Sequence, residues 1–373
     1  MLGLTSRYDD QNDRFGAAFH ILEEAIAARS FPAASVAVTH QGNLVALRAL
    51  GRFTYEATSP PPTPETLFDL ASVTKVVATT AMAMVLYQRG LLDLEIPVIS
   101  IVGEFAGEDP RRDDITLRML LAHSSGLPAY EKLFLRAKTR DELLAAAFTT
   151  PLAHNPGEHS AYSDIGFMVL LVALERLADE TLDRFCQREV FGPLGMNRTT
   201  FNPAPDLHSS IPPTADDRTF RKRIIQGEVQ DENASVMGGV AGHAGLFATA
   251  GDVALFAHAL LRGGGPTLRP ETLSVFTKRV SAPEGSSRAL GWDTPSSPSQ
   301  FGKYFSPNSY GHLGYTGTSL WIDPDRQLSI TLLTNRTWPD CENKAIKQVR
   351  PLFHDKIAEA LSLTEPNQPN PSE

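Results

Sequence analysis

Cysteine is scarce. The 373-residue chain has two, Cys186 and Cys341. Two thiols make no disulfide framework, and neither has a neighbouring Cys or His at a ligand spacing. The ten histidines are scattered and contain no H-E-x-x-H pair. No metal site is expected. No apolar run is long enough to span a bilayer. Basic residues are not in excess either: the formal net charge is −9, which argues against a nucleic-acid partner. Residues 1–14 carry Arg7, Asp9, Asp10 and Asp13 and lack the apolar core of a signal peptide, so the chain as written is expected in the cytoplasm. No internal repeat is visible. What is present is an ordinary globular composition, 42% hydrophobic and 21% charged. A chain of this length forms one large domain or two halves sharing a cleft.

One stretch organises the rest. Ser72-Val73-Thr74-Lys75 is followed by eleven apolar or small residues and Tyr87, with no charge until Arg89. A helix that is apolar all round is a buried helix. The i, i+3 spacing puts Ser72 and Lys75 side by side. The positive end of the helix dipole and burial both push Lys75 toward a neutral amine. Such an amine can take a proton from Ser72, which makes a nucleophile with its base beside it. A lone S-x-x-K arises by chance about once in a chain of this length. The alternative is a serine N-cap with a snorkelling lysine.

Before that stretch, residues 13–29 read as an amphipathic helix with Phe15, Phe19, Leu22 and Ile26 on one face. Residues 34–40 and 44–51 flank Gln41-Gly42-Asn43 as a β-hairpin. Residues 66–69 form a short extended lead-in. After it come helices at 115–123, 139–148, 166–178 and 182–190, a loop over 202–235 and a helix at 249–261. Extended segments return at 289–292, 317–322 and 328–335. A helix over 342–361 is expected to kink at Pro351. Residues 364–373 are Pro/Asn-rich and are expected to be disordered. The order predicts an α+β fold: one antiparallel sheet built from both chain ends, flanked by helices, beside a mostly helical half. The expected parts are an extension at 1–12, a single catalytic domain at 13–361 and a tail at 362–373. Within the domain, 13–72 and 285–361 supply the sheet half and 73–284 the helical half. The seam between them is a natural cleft.

Three further stretches carry chemistry. Tyr162-Ser163-Asp164 precedes an apolar helix and can present a phenol and a carboxylate to the cleft. The same segment also reads as a cap, through Ser163 or Asp164. The run Tyr310-Gly311-His312-Leu313-Gly314-Tyr315-Thr316-Gly317 leads into an edge-like strand, whose free N–H groups can form half of an oxyanion hole. It reads equally as a glycine-rich turn carrying a surface histidine. Residues 238–245 are glycine-rich but lack the Gly-Lys-Ser/Thr end of a phosphate loop. They are a tight turn, or line the cleft opposite Ser72.

Ser-x-x-Lys, Tyr-x-Asp and His-x-Gly before a strand, in that order, form a three-part signature. The chain resembles the serine β-lactamase-related family. That family includes class C β-lactamases, penicillin-binding proteins, D-alanyl-D-alanine carboxypeptidases and esterases. The run Leu120–Pro128, residues 191–196, residues 227–234 and residues 238–247 match its common wording, and coverage runs from about residue 13 to 361. The resemblance implies a β-lactamase/transpeptidase-like fold and a hydrolase that works through an acyl-enzyme on an ester or amide. Ser72 would be the nucleophile, and Lys75 and Tyr162 would handle its proton. The N–H groups of Ser72 and Tyr315 would hold the oxyanion. Asp164, His312 and Gly314 would meet the substrate, a small molecule or a peptidoglycan-type peptide. No metal or organic cofactor is implied. An alternative is a penicillin-binding sensor that is acylated without turnover. Relatives are often exported. Two positions depart from the β-lactamase pattern: Asp164 stands where Asn is usual, and His312 where Lys is usual. A carboxylate at 164 favours a charged Lys75. A neutral imidazole at 312 anchors a substrate carboxylate less well than an ammonium.

Overall fold

The computed structural model describes residues 3–297 and 300–364. Past residue 364 the expected tail lies outside the described residues. In chain order the strands are β1 (Thr5–Ser6), β2 (Ala33–His40), β3 (Asn43–Gly51), β4 (Phe68–Asp69), β5 (Thr200–Phe201), β6 (Ala215–Asp217), β7 (Arg223–Ile225), β8 (Leu246–Ala248), β9 (Tyr310–Leu313), β10 (Ser319–Asp323) and β11 (Leu328–Thr334). Six of them make the main sheet in the order β1-β3-β2-β11-β10-β9. Both chain ends therefore build one sheet, as the element order implied. Strand β11 joins them, with Leu332 opposite Val36.

Alternation along each strand feeds two cores. Val36, Val38, Ile330 and Leu332 point to one face, where they pack with Phe15, Phe19 and Leu22 of helix Gln11–Ala27 and Phe353 and Ile357 of helix Ile346–Ala360. Ala33, Ala37, Leu320, Ile322 and Leu333 point to the other face and join the larger core around residues 76–86. Helix Ala250–Leu261 closes that face. Thr249 caps it by accepting the N–H of Asp252 at 3.0 Å.

Several expectations need correction. The sheet is mixed, because β1 pairs parallel to β3. Residues expected to be an extension thus add a strand, and the first helix starts at Gln11. The loop over 202–235 contains the β6–β7 hairpin and a short helix, Glu232–Val236. Residues 289–292 are not extended. The N–H of Ala289 bonds the carbonyl of Trp292 at 2.9 Å, which makes a tight turn closed by an Arg288–Asp293 bridge. Gly291 sits in that turn at φ +86°, packed so closely on the core helix that a Cβ would lie 2.0 Å from Thr80 Oγ1. The His312 run does not lead into the edge strand; β9 itself is that edge. The last helix begins at Ile346 and carries Pro351 inside it.

Candidate active site

The site begins where β4 ends. Ala71 adopts φ +45°, a left-handed conformation unusual for a side chain with a Cβ, and Asp69 Oδ1 holds its N–H at 2.8 Å. Strain of this kind persists only where the surroundings impose it. The chain then makes a 3₁₀ turn over Ala71–Val73, widens to a π-type winding over Lys75–Thr80 and settles into an α-helix over Ala81–Gln88. The expected core helix is therefore present but is not α-helical at its start. Such local widening is frequent at functional sites. Residues 76–78 and 81–86 are buried, so the helix is enclosed on all sides.

Lys75 is fully buried, and its Nζ has three partners. They are Asp164 Oδ1 at 2.6 Å, the carbonyl of His243 at 3.0 Å and Ser72 Oγ at 3.1 Å. The first two can only accept. They use two N–H bonds, and the third position faces the serine. A neutral amine fills this arrangement completely, because its lone pair then meets the Ser72 hydroxyl. Burial pulls the Lys75 pKa down, and the opposing pull of Asp164 does not cancel it.

Tyr162 reaches the same serine from the other side and donates its hydroxyl to Ser72 Oγ at 2.7 Å. Burial, with the charge of Asp164 added, holds the phenol pKa well above its ordinary value. The phenol thus keeps its hydrogen and shares it with Ser72 Oγ. The segment that carries it resolves its two readings into both at once. Ser163 caps helix Asp164–Ala178 by accepting the N–H of Gly166 at 3.0 Å. That leaves the Asp164 carboxylate free for Lys75.

His312 lies on β9, buried, with its ring centre 6.0 Å from that of Tyr162. Its Nδ1 lies 2.8 Å from the carbonyl of Leu313, so Nδ1 carries the hydrogen and Nε2 keeps a lone pair. Burial holds its pKa well below the usual histidine range, with Lys75 and Arg288 pushing the same way. It is not a surface histidine, and it offers no positive charge. Gly314 packs where a Cβ would lie 1.9 Å from Thr318 Oγ1 and 2.5 Å from the carbonyl of Leu70. Its place is thus a close approach of the β9 end to the turn that carries Ser72. Tyr315 is half exposed. Within the described residues, no acceptor takes the backbone N–H of Ser72 or of Tyr315.

Sequence reasoning gave no role to His243, Asp231, Arg288 or His123. His243 supplies the carbonyl on Lys75 and bonds Asp231 Oδ1 at 2.9 Å. The glycine-rich turn is thus a wall of the site. Arg288 puts its guanidinium carbon 5.5 Å from the Tyr162 ring centre. His123 holds its ring centre 4.8 Å from that of Tyr162, tilted by 39°, and accepts the N–H of Ser163 at 3.1 Å. No spacing rule ties Arg288 or His123 to Ser72. For His243 the signals were the reading of its turn as a cleft wall opposite Ser72 and the match of residues 238–247 to common family wording, and the matched runs at 120–128 and 227–234 contain His123 and Asp231.

A mixed α/β fold with a part-exposed serine beside a buried lysine and a tyrosine on the serine defines a serine hydrolase. The chain belongs to the Beta-lactamase family, whose model matches residues 19–350. It is 33% identical over 302 residues to a putative D-alanyl-D-alanine carboxypeptidase of Escherichia coli (strain K12), covering 73% of this chain and 69% of that protein. A protein of the same description from Salmonella agona is 33% identical over 310 residues, covering 74% and 70%. Among solved structures, EstCE1, a hydrolase with promiscuous acyltransferase activity, superposes with a TM-score of 0.77 at 21% identity, covering 93% of this chain and 99% of that one. The octameric penicillin-binding protein homologue from Pyrococcus abyssi gives 0.73 at 22% identity, covering 94% and 78%. At these identities the structures establish the fold.

Proposed function

We propose that the protein hydrolyses esters or amides through an acyl-enzyme on Ser72. The observation that carries this is the arrangement at Lys75 Nζ, with two acceptors on its N–H bonds and its third position toward Ser72 Oγ. Lys75 takes the Ser72 proton as Oγ attacks the carbonyl carbon. The free N–H groups of Ser72 and Tyr315 receive the oxyanion. Tyr162 protonates the leaving alkoxide or amine and regains its proton from the Lys75 ammonium. Water then attacks the acyl-enzyme, with Lys75 again as base.

Short neutral esters fit this site best, because His312 is uncharged and presents a lone pair. A D-amino-acid peptide is the second reading. It is favoured by the carboxypeptidase description of the relatives and by Arg288, which brings a cation near Tyr162. The test is a panel of p-nitrophenyl acetate, a D-Ala-D-Ala peptide and a chromogenic cephalosporin, with intact mass followed over time. Turnover with a transient adduct on Ser72 is expected. Ser72→Ala should lose activity on the order of a thousandfold or more. An adduct that never clears would make the protein an acylated sensor, and ester hydrolysis retained by Ser72→Ala would remove the nucleophile.

A further inference from the structure

Two sequence runs, residues 227–234 and 238–247, have no role in the chemistry above apart from one carbonyl. In the fold they meet. Asp69 stands three residues before the nucleophile and is buried. Its Oδ1 accepts the N–H of Ala71 at 2.8 Å, and its Oδ2 accepts the N–H of Gln230 at 2.7 Å. The next residue, Asp231, accepts the N–H of Ala234 at 2.7 Å and His243 Nε2 at 2.9 Å, both on Oδ1. The carbonyl of His243 then accepts Lys75 Nζ at 3.0 Å, and Lys75 returns to Ser72. Arg221 braces the segment by donating to the carbonyls of Val229 and Gln230 at 2.7 and 2.6 Å.

We propose that Asp69, Asp231 and His243 are positioning residues. They form a closed hydrogen-bonded circuit that sets the Ser72–Lys75 geometry from both sides. The proposal rests on the acyl-enzyme reading above. One side of the circuit fixes the left-handed turn at Ala71, which aims Ser72. The other fixes an acceptor on Lys75, which leaves the third position of its Nζ for the serine. The hydrogen bonds of the three side chains run to the protein itself, so opening the circuit misaligns the reacting pair and spares substrate binding. Small misplacements of reacting groups are costly in rate.

The test separates kcat from KM. An amide at 69 has one acceptor oxygen, so Asp69→Asn must lose either Ala71 or Gln230. His243→Phe keeps the ring and the backbone carbonyl but cuts the tie to Asp231. His243→Gln can restore a donor to Asp231. Asp252→Asn is the control. It is another buried carboxylate, which accepts from Arg198 and Thr199 and takes no part in the circuit. With p-nitrophenyl acetate, Asp69→Asn and His243→Phe are expected to lose about tenfold to a hundredfold in kcat. Their KM should stay within about twofold of wild type. His243→Gln should recover most of the loss, and Asp252→Asn should lose melting temperature but not kcat. Wild-type kcat in Asp69→Asn, or an equal loss in Asp252→Asn, overturns the proposal. Should His243→Phe fail to fold, Asp69→Asn and His243→Gln still decide it. Intact mass keeps the two levels apart. No adduct on Ser72 in the wild-type protein defeats the acyl-enzyme reading, whereas an adduct formed at the wild-type rate in Asp69→Asn defeats only the circuit.

Discussion

At the scale of single residues, the question is which force governs Lys75. Asp164 alone suggests a charged lysine and a blunted base. The structure adds complete burial, and burial wins, so the pKa is lowered overall. Asp164 still matters, because its charge and hydrogen bond favour the ammonium. The sign for a variant follows directly. Asp164→Asn removes a force that raises the Lys75 pKa, so the pKa falls further and the base is free at lower pH. The acid limb of kcat/KM for a neutral ester should therefore move to lower pH in Asp164→Asn. An acid limb that stays in place or moves up would show that Lys75 is not the titrating base. His312 makes the same point with the opposite outcome. The family resemblance says only that a histidine stands where a lysine is usual. Burial and the Leu313 carbonyl decide that it is neutral and which nitrogen holds the hydrogen.

At the scale of elements, the β6–β7 hairpin links the circuit to the surface. Asp217 accepts the N–H groups of Thr219, Phe220 and Arg221 and the Nε of Arg221. The ion pair is nearly enclosed, with side-chain exposures of 7% and 6%. Removing one partner of such a pair strands the other. Asp217→Ala is expected to cost about 3–5 kcal/mol of stability, read by chemical denaturation. A loss below about 1 kcal/mol would mean that the pair behaves as a surface pair. The hairpin also shows where sequence reading stops. The β2–β3 hairpin, the cap at Ser163, the helices at 139–148 and 249–261 and the buried helix were legible, because their signals lie within a few residues. The hairpin at 215–225 follows four prolines, Pro203, Pro205, Pro212 and Pro213, and was read with them as loop. The turn at 289–292 is a short apolar run, Ala-Leu-Gly-Trp, that packing on Thr80 bends through Gly291. Likewise, the Asp69–Gln230 and Lys75–His243 bonds join residues 161 and 168 positions apart, which no local period reports.

At the scale of the whole molecule, the fold brings four segments onto one serine: the end of β4, the 162–164 junction, the 243 turn and the edge strand β9. What the assembly lacks is a charged residue at position 312, and this ranks its substrates. A β-lactam or a peptide C-terminus brings a carboxylate. The His312 lone pair repels it, and Asp164 adds like charge. Arg288 offsets part of this, although it lies 3.6 Å from Asp293 and shares its charge with that carboxylate. A neutral ester needs none of these groups. Short esters should therefore exceed a cephalosporin in kcat/KM. His312→Lys adds a cation on the same strand, and cephalosporin acylation should rise by about 1–2 kcal/mol, the size of one hydrogen bond to a charged group. Arg288→Ala should lower kcat/KM for the cephalosporin more than for the ester. The measurement is kcat/KM for p-nitrophenyl acetate and a chromogenic cephalosporin in all three proteins. A wild-type preference for the cephalosporin, or no gain in His312→Lys, would place the carboxylate anchor elsewhere. Equal losses in Arg288→Ala would reduce Arg288 to a packing partner of Tyr162.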